Sequence, residues 1–161
     1  MQEQLHWKPV WTVTHFETRA DYEAGRAAWE ASFGPNQLLN EGINLAWSLI
    51  CGGAGTPFDN ANSYLGVGDS SAAESASQTG LQAATNKLYK AMDATYPTYG
   101  TNQVAVWRST FAEDEANFAW EEFTVANGNS DASVNLNRHV ESKGTKVAGN
   151  VRVLTLTITL A

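Results

Sequence analysis

The stretch VRVLTLTITL, from Val151 to Leu160, constrains this chain more than any other. Leu154, Leu156, Ile158 and Leu160 alternate with Thr155, Thr157 and Thr159. Successive side chains on a strand point to opposite faces, so this spacing predicts an antiparallel strand with one buried and one wet face. Ala148-Gly149-Asn150 supplies the turn before it. Shorter versions of the same alternation predict strands over Val10–Glu17, Gln103–Phe111 and Val134–Val140, and Ser63–Val67 and Phe118–Val125 read as further short strands. In QVAVWRSTF, Ala105, Trp107, Ser109 and Phe111 fall on one side. The acidic connection Ala112–Asn117 reads as the tip of a hairpin. Strands that follow strands without regular intervening helices argue for a mainly β fold, an antiparallel β-sandwich of jelly-roll type.

Two helices are expected. NEGINLAWSLICGG carries Ile43, Ala46, Trp47 and Ile50 on one face, with Leu39 ahead, Asn40 as cap and Gly52-Gly53 as stop. It predicts a core helix over 40–51 packed on a sheet. In DYEAGRAAWEASFG, Tyr22, Arg26, Trp29 and Phe33 recur at helical spacing, with Asp21 as cap and Gly34-Pro35 as stop. That helix has an aromatic stripe and little else apolar, so it reads as a docking element. Residues 1–34 are therefore expected to form an N-terminal arm, a strand plus a short helix, and residues 35–161 the sandwich domain. The arm docks on this domain or on a neighbouring subunit, and its removal is expected to leave a folded domain.

A chain of 161 residues fits one domain and needs no disulfide or metal staple. Its net charge of −7, with no basic run, argues against nucleic acid as a partner. No stretch has the ~20 apolar residues that a membrane-spanning helix needs, and the N-terminus lacks a secretory pattern. The single cysteine, Cys51, reads as a small buried apolar residue.

Candidate chemistry falls away on inspection. Gly66-Val67-Gly68 has neither a third glycine at dinucleotide spacing nor a following Gly-Lys-Ser/Thr. His6, His15 and His139 lack partners at metal-ligand spacing. Glu113, Asp114, Glu115, Glu121 and Glu122 read as a solvated acidic tip, with the last two on opposite faces of a strand. Asp59, Asn60, Asn62 and Asp69 read as turn residues without the calcium-loop pattern. No cofactor or metal is expected. The Ser/Ala-rich run after Gly68 is bracketed by Asp69 and Thr79-Gly80-Leu81, with Leu81 pinning it to the core.

Three segments in order carry a family resemblance. They are LNEGINLAWSLICGG, then FDNANSYLGVGDSSAAESASQTGLQ, then FAWEEFTVANG followed by VNLNRHVESKGTKVAGNVRVLTLTITL. Across residues 38–161 the chain resembles small virion structural proteins of tailed bacteriophages. The resemblance implies a non-enzymatic, multi-copy component of the virion, assembled in the host cytoplasm. Its implied partners are the major capsid protein, as a decoration or cement protein, and copies of itself in a trimer; a neck, collar or tail position is the alternative. Interface candidates are Trp7, Trp11, Phe16, Tyr22, Trp29 and Phe33 in the arm, because aromatic residues concentrate in interface hot spots. Gly66, Gly68, Ala72 and Ala76 are the candidates in the Ser/Ala-rich region. A jelly-roll carbohydrate-binding module is the third reading; it would show an aromatic platform with polar neighbours in a cleft or on a sheet face.

Overall fold

The computed structural model describes residues 6–161. Ten strands form two five-stranded antiparallel sheets packed face to face, so the expected β-sandwich is observed. In the first sheet the order is β2 (Trp29–Phe33), β1 (Trp7–Phe16), β10 (Val151–Leu160), β7 (Val104–Phe111) and β6 (Thr98–Thr101). In the second it is β3 (Gln37–Leu38), β9 (Asn137–Val140), β8 (Glu122–Ala126), β4 (Tyr64–Gly68) and β5 (Lys87–Ala91). Two helices, α1 (Arg19–Glu23) and α2 (Asn40–Ile50), lie outside the sheets.

The alternation of β10 sets the layering. Leu154, Leu156 and Ile158 are buried between the sheets, while Thr155, Thr157 and Thr159 lie half-buried on the outer face. Leu160, at the open end, is largely exposed. β7 contributes Trp107, Ser109 and Phe111 to the same interior, as its spacing predicts. From the facing sheet come Leu65, Val67, Phe123 and Val125. Phe123 sits at the centre, with the rings of Phe33 at 4.9 Å and Trp11 at 5.8 Å.

Residues 7–33 are not a detachable arm. β1 pairs with β10 in unbroken register from Trp7↔Leu160 to Phe16↔Val151, and with β2 on its other side. Trp11 and Val13 are fully buried in the common core. The expected helix over Asp21–Phe33 is replaced by a single turn and a strand. Thr18, not Asp21, caps α1: its Oγ1 accepts the Asp21 amide at 3.1 Å. Gly25, at φ +68°, then takes the chain out of the helix. Trp29 and Phe33 are four apart, a spacing that fits one helical turn and two strand repeats equally. Here the strand reading is right, with Trp29, Ala31 and Phe33 facing inward and Glu30 and Ser32 exposed.

The acidic connection after β7 is not a hairpin. β7 belongs to the first sheet and β8 to the second, so residues 112–121 cross between layers. Trp120 anchors the crossing; it is fully buried, edge-on to Phe111 at 4.9 Å, and its indole N–H donates to Ala116 O at 3.0 Å. Phe118 to Glu121 exchange backbone hydrogen bonds with residues 141–146 instead of continuing β8, which shortens that strand from the expected 118–125.

These pairings reverse the expectation for the N-terminal segment. Deleting residues 1–34 removes β1 from between two partner strands and strips the cover from β10. The truncated chain is expected to be insoluble or to lack a cooperative thermal transition by circular dichroism, while the full chain unfolds cooperatively; a truncated chain with a sharp transition would contradict this placement.

Candidate functional site

The residues singled out by sequence are mostly engaged inside the molecule. Trp7 is half-buried, with its indole N–H on Asn36 Oδ1 at 3.2 Å. Trp11 and Phe33 are core residues. Trp29 is half-buried and stacks on His15, 4.9 Å between ring centroids. Phe16 is buried under Tyr22, which stands edge-on to it at 5.3 Å. Gly66 and Gly68 are covered by the chain itself: a Cβ on Gly66 would lie 2.7 Å from Thr124 Cγ2, and one on Gly68 would overlap the Glu122 carboxylate. They allow close packing within one subunit, so their reading as contacts to another chain is corrected.

The loop that follows, with Ala72 and Ala76, is held by a buried ion pair. Glu122 and Arg138 are both fully buried, with Arg138 Nε 2.8 Å from Glu122 Oε2. Glu122 also accepts the amides of Gln82 at 2.9 Å and Ala83 at 2.8 Å. Arg138 Nη1 donates to Ala72 O at 2.9 Å and Gln78 Oε1 at 3.1 Å. Glu74 accepts the Val140 amide at 2.6 Å and lies 3.0 Å from His139 Nδ1. Ala76 O accepts the Asn40 amide at 2.8 Å, which ties the loop to α2. Leu81 is buried as expected. A loop held at this many points is a fixed part of the fold; Ala72 is exposed but its carbonyl is engaged.

The acidic residues are a solvated tip only in part: Asp114 is exposed. Glu122 is interior, Glu115 is bound by Lys90 Nζ at 2.5 and 2.7 Å, and Glu113 receives Arg19 in a two-point contact at 3.0 and 3.1 Å. Asp59 makes the expected turn, its Oδ1 accepting the Asn62 amide at 3.0 Å.

A second buried polar group lies on the first sheet, at the start of β10. The Arg152 guanidinium lies between the rings of Trp29 and Trp120, 5.2 and 5.0 Å from their centroids. It donates to Gly144 O, Thr145 O and, at 3.1 Å, to His15 Nδ1. His15 must therefore be neutral at Nδ1. Burial and the Arg152 charge hold its pKa below the ordinary 6.5, against the opposing pull of Glu17. Burial also pushes Lys146, bonded to Ala112 O and Asn117 Oδ1, down to about 8. Among the described residues no group of His, Cys, Asp and Glu is arranged to hold a metal ion.

The apolar face of α2 is a surface that the sequence places in the interior and the structure places outside. Trp47 is 61 % exposed, Ile50 73 % and Ile43 36 %. The helix buries Leu39, Gly42 and Leu45 instead. Gly42 explains the rotation: a Cβ there would stand 2.5 Å from Leu136 Cα, so the helix lies directly on the backbone leading into β9. The amide of Asn135 donates to Glu41 Oε1 at 2.7 Å and fixes the helix there. Gly52, at φ +76°, ends the helix, as its position in the sequence predicts. Cys51 is exposed beside Ile50, contrary to the expected burial. From Gly42 to Phe58 the chain has no charged residue, although the whole molecule carries −7. The missed signal is Gly42 itself, a residue without side chain at the centre of the contact stripe.

Comparison with protein-family models, curated proteins and solved structures returned no match.

Two outcomes follow from the buried groups. Glu122→Gln leaves the buried Arg138 charge without its partner and is expected to cost about 3–5 kcal/mol, read from urea denaturation at neutral pH. The His15 shift has a definite sign. Below about 6.5 the unfolded chain takes a proton at His15 that the folded chain resists. Its contribution is therefore present above that pH and lost as pH falls below it. His15→Gln is expected to flatten the decline in urea midpoint between pH 7 and pH 5 relative to the parent chain.

Proposed function

We propose that this chain is a non-enzymatic structural component of a tailed-phage particle, a decoration protein that binds the major capsid protein lattice through the face of α2. The observation that carries the reading is the exposed Ile43–Trp47–Ile50 stripe within a stretch free of charge. Large contiguous apolar surface is uncommon on a soluble monomer and marks a contact. Tryptophan is the residue type that most often dominates such contacts. The stripe is presented by a helix whose other side is held by Gly42 and Glu41, so docking needs no refolding of the domain.

The major capsid protein is the partner because the order of LNEGINLAWSLICGG, SYLGVGDSS and VRVLTLTITL resembles virion structural proteins. A neutral apolar seat also lets an acidic protein approach an assembled shell without charge pairing. A neck or tip position is distinguished by a copy number of a dozen or fewer per particle, and trimerisation by the mass of the purified chain.

The test uses particles from a phage encoding the chain, with the gene deleted, and purified protein added back. The parent chain is expected to bind at a fixed ratio to the major capsid protein. The double variant Trp47→Asp, Ile50→Asp is expected to keep its thermal midpoint, because both side chains are exposed, and to lose binding by about thirtyfold or more. Full occupancy by the folded double variant would overturn the assignment of the surface, and particles that contain none of the native protein would overturn the assignment of function.

A further inference from the structure

Two clefts of similar size open on the molecule. One, of about 530 Å³, lies at the open end of the sandwich and includes Trp7 and Trp107. Its lining is mostly apolar, and both indole N–H groups are engaged internally, on Asn36 Oδ1 and Phe58 O. Its polar lining residues, Thr101, Asn102 and Gln103, all come from the end of β6 and the turn into β7 and do not converge from several elements. The second, of about 550 Å³, lies on the outer face of the first sheet and has a different chemistry.

Its floor spans three adjacent strands. Arg108 of β7 lies directly opposite Thr155 of β10, and Thr14 of β1, opposite Val153, lies diagonally across from Thr155 with its hydroxyl donated to Glu30 Oε2 at 2.8 Å. Tyr22 enters from α1, beside β1, and Tyr96 from the segment between β5 and β6, beside β7. Two aromatic rings thus flank a strip of hydroxyls and a guanidinium. Each is fixed from behind. Tyr22 rests edge-on on the buried Phe16. The Arg108 guanidinium lies 5.5 Å from the Tyr96 ring centroid, and its Nε is 3.1 Å from Asp93 Oδ2. Asp93 is itself held by the amide and hydroxyl of Thr110, at 2.9 and 2.7 Å. The segment carrying Tyr96 is anchored by Asn60 Nδ2, which donates to the carbonyls of Asp93 and Tyr96.

We propose that this cleft binds a neutral saccharide, one or two sugar rings in size. Its volume is that of a small-ligand site, and its make-up is the usual one, aromatic walls with a few convergent polar groups. Tyrosine supplies a flat apolar face for the C–H side of a pyranose and a hydroxyl for its edge. Arginine donates through a rigid fork, threonine both donates and accepts, and Glu23 at the lip accepts, which matches the mixed donor and acceptor pattern of sugar hydroxyls. Arg108 is already paired with Asp93, and with Glu23 the three charges leave a small negative excess, which disfavours an anionic ligand. The inference is independent of the particle role, because the cleft shares no residue with the α2 stripe.

The test is a glycan array carrying neutral and sialylated oligosaccharides, probed with the full chain, followed by calorimetric titration of the neutral glycan with the highest signal. Binding to neutral glycans is expected. Affinity is expected to fall at least tenfold in Tyr96→Ala and in Arg108→Lys, and several-fold in the near-isosteric Thr155→Val, with thermal midpoints recorded for each. Trp47→Asp is expected to bind like the parent. Three results would overturn the proposal: no neutral glycan bound, binding confined to sialylated glycans, or affinity unchanged in all three folded cleft variants.

Discussion

The pairing of β1 with β10 is the contact on which the rest of this molecule depends. Ten consecutive residues at the start of the described chain lie against ten at its end, and each of the two strands has a second partner. The inner faces of the pair carry Trp11, Val13, Leu154, Leu156 and Ile158, the bulk of one wall of the core. The outer faces carry Phe16, Val151 and Val153 under Tyr22, which seat α1. The cleft floor is built from the same two strands and β7. Because this contact joins residues far apart in sequence, little of the first sheet can form before the whole chain is available.

How legible each element was depends on whether its signal was periodic and unambiguous. β10 and β7 alternate over enough residues that their inward faces followed from spacing alone. β5 and β6 escaped because KLYKA and TYGT are short edge strands with exposed or half-buried side chains, so no hydrophobic alternation marks them. The Trp29–Phe33 segment was misread because a separation of four fits both periods, and Gly25 and the Thr18 cap were the deciding local signals. In α2 the helix itself was clear, but its buried side was not. The stripe rule assumes that the contact face carries the large side chains, and here it is centred on Gly42.

The buried polar groups were beyond the reach of sequence for another reason. Glu122 lies in a run of carboxylates and looks like surface. Its burial depends on Arg138, on Gly68 leaving space, and on the Gln82 and Ala83 amides, all distant in the chain. Exchanging a buried ion pair for apolar groups often leaves stability unchanged or raises it. What this pair supplies is position: it fixes the 70–83 loop against β8 and β9, and that loop in turn holds the start of α2 through Ala76. The interior polar network thereby sets how the apolar stripe is presented.

The described residues thus form a sandwich with an exposed apolar stripe on α2, and the proposed docking uses that stripe and not the N-terminal strands. Hydrogen–deuterium exchange of the chain free and bound on particles tests this most directly. The account predicts new protection confined to residues 42–57, with β1 and β2 exchanging alike in both states. Protection that appears instead on residues 7–33, with 42–57 unchanged, would contradict it.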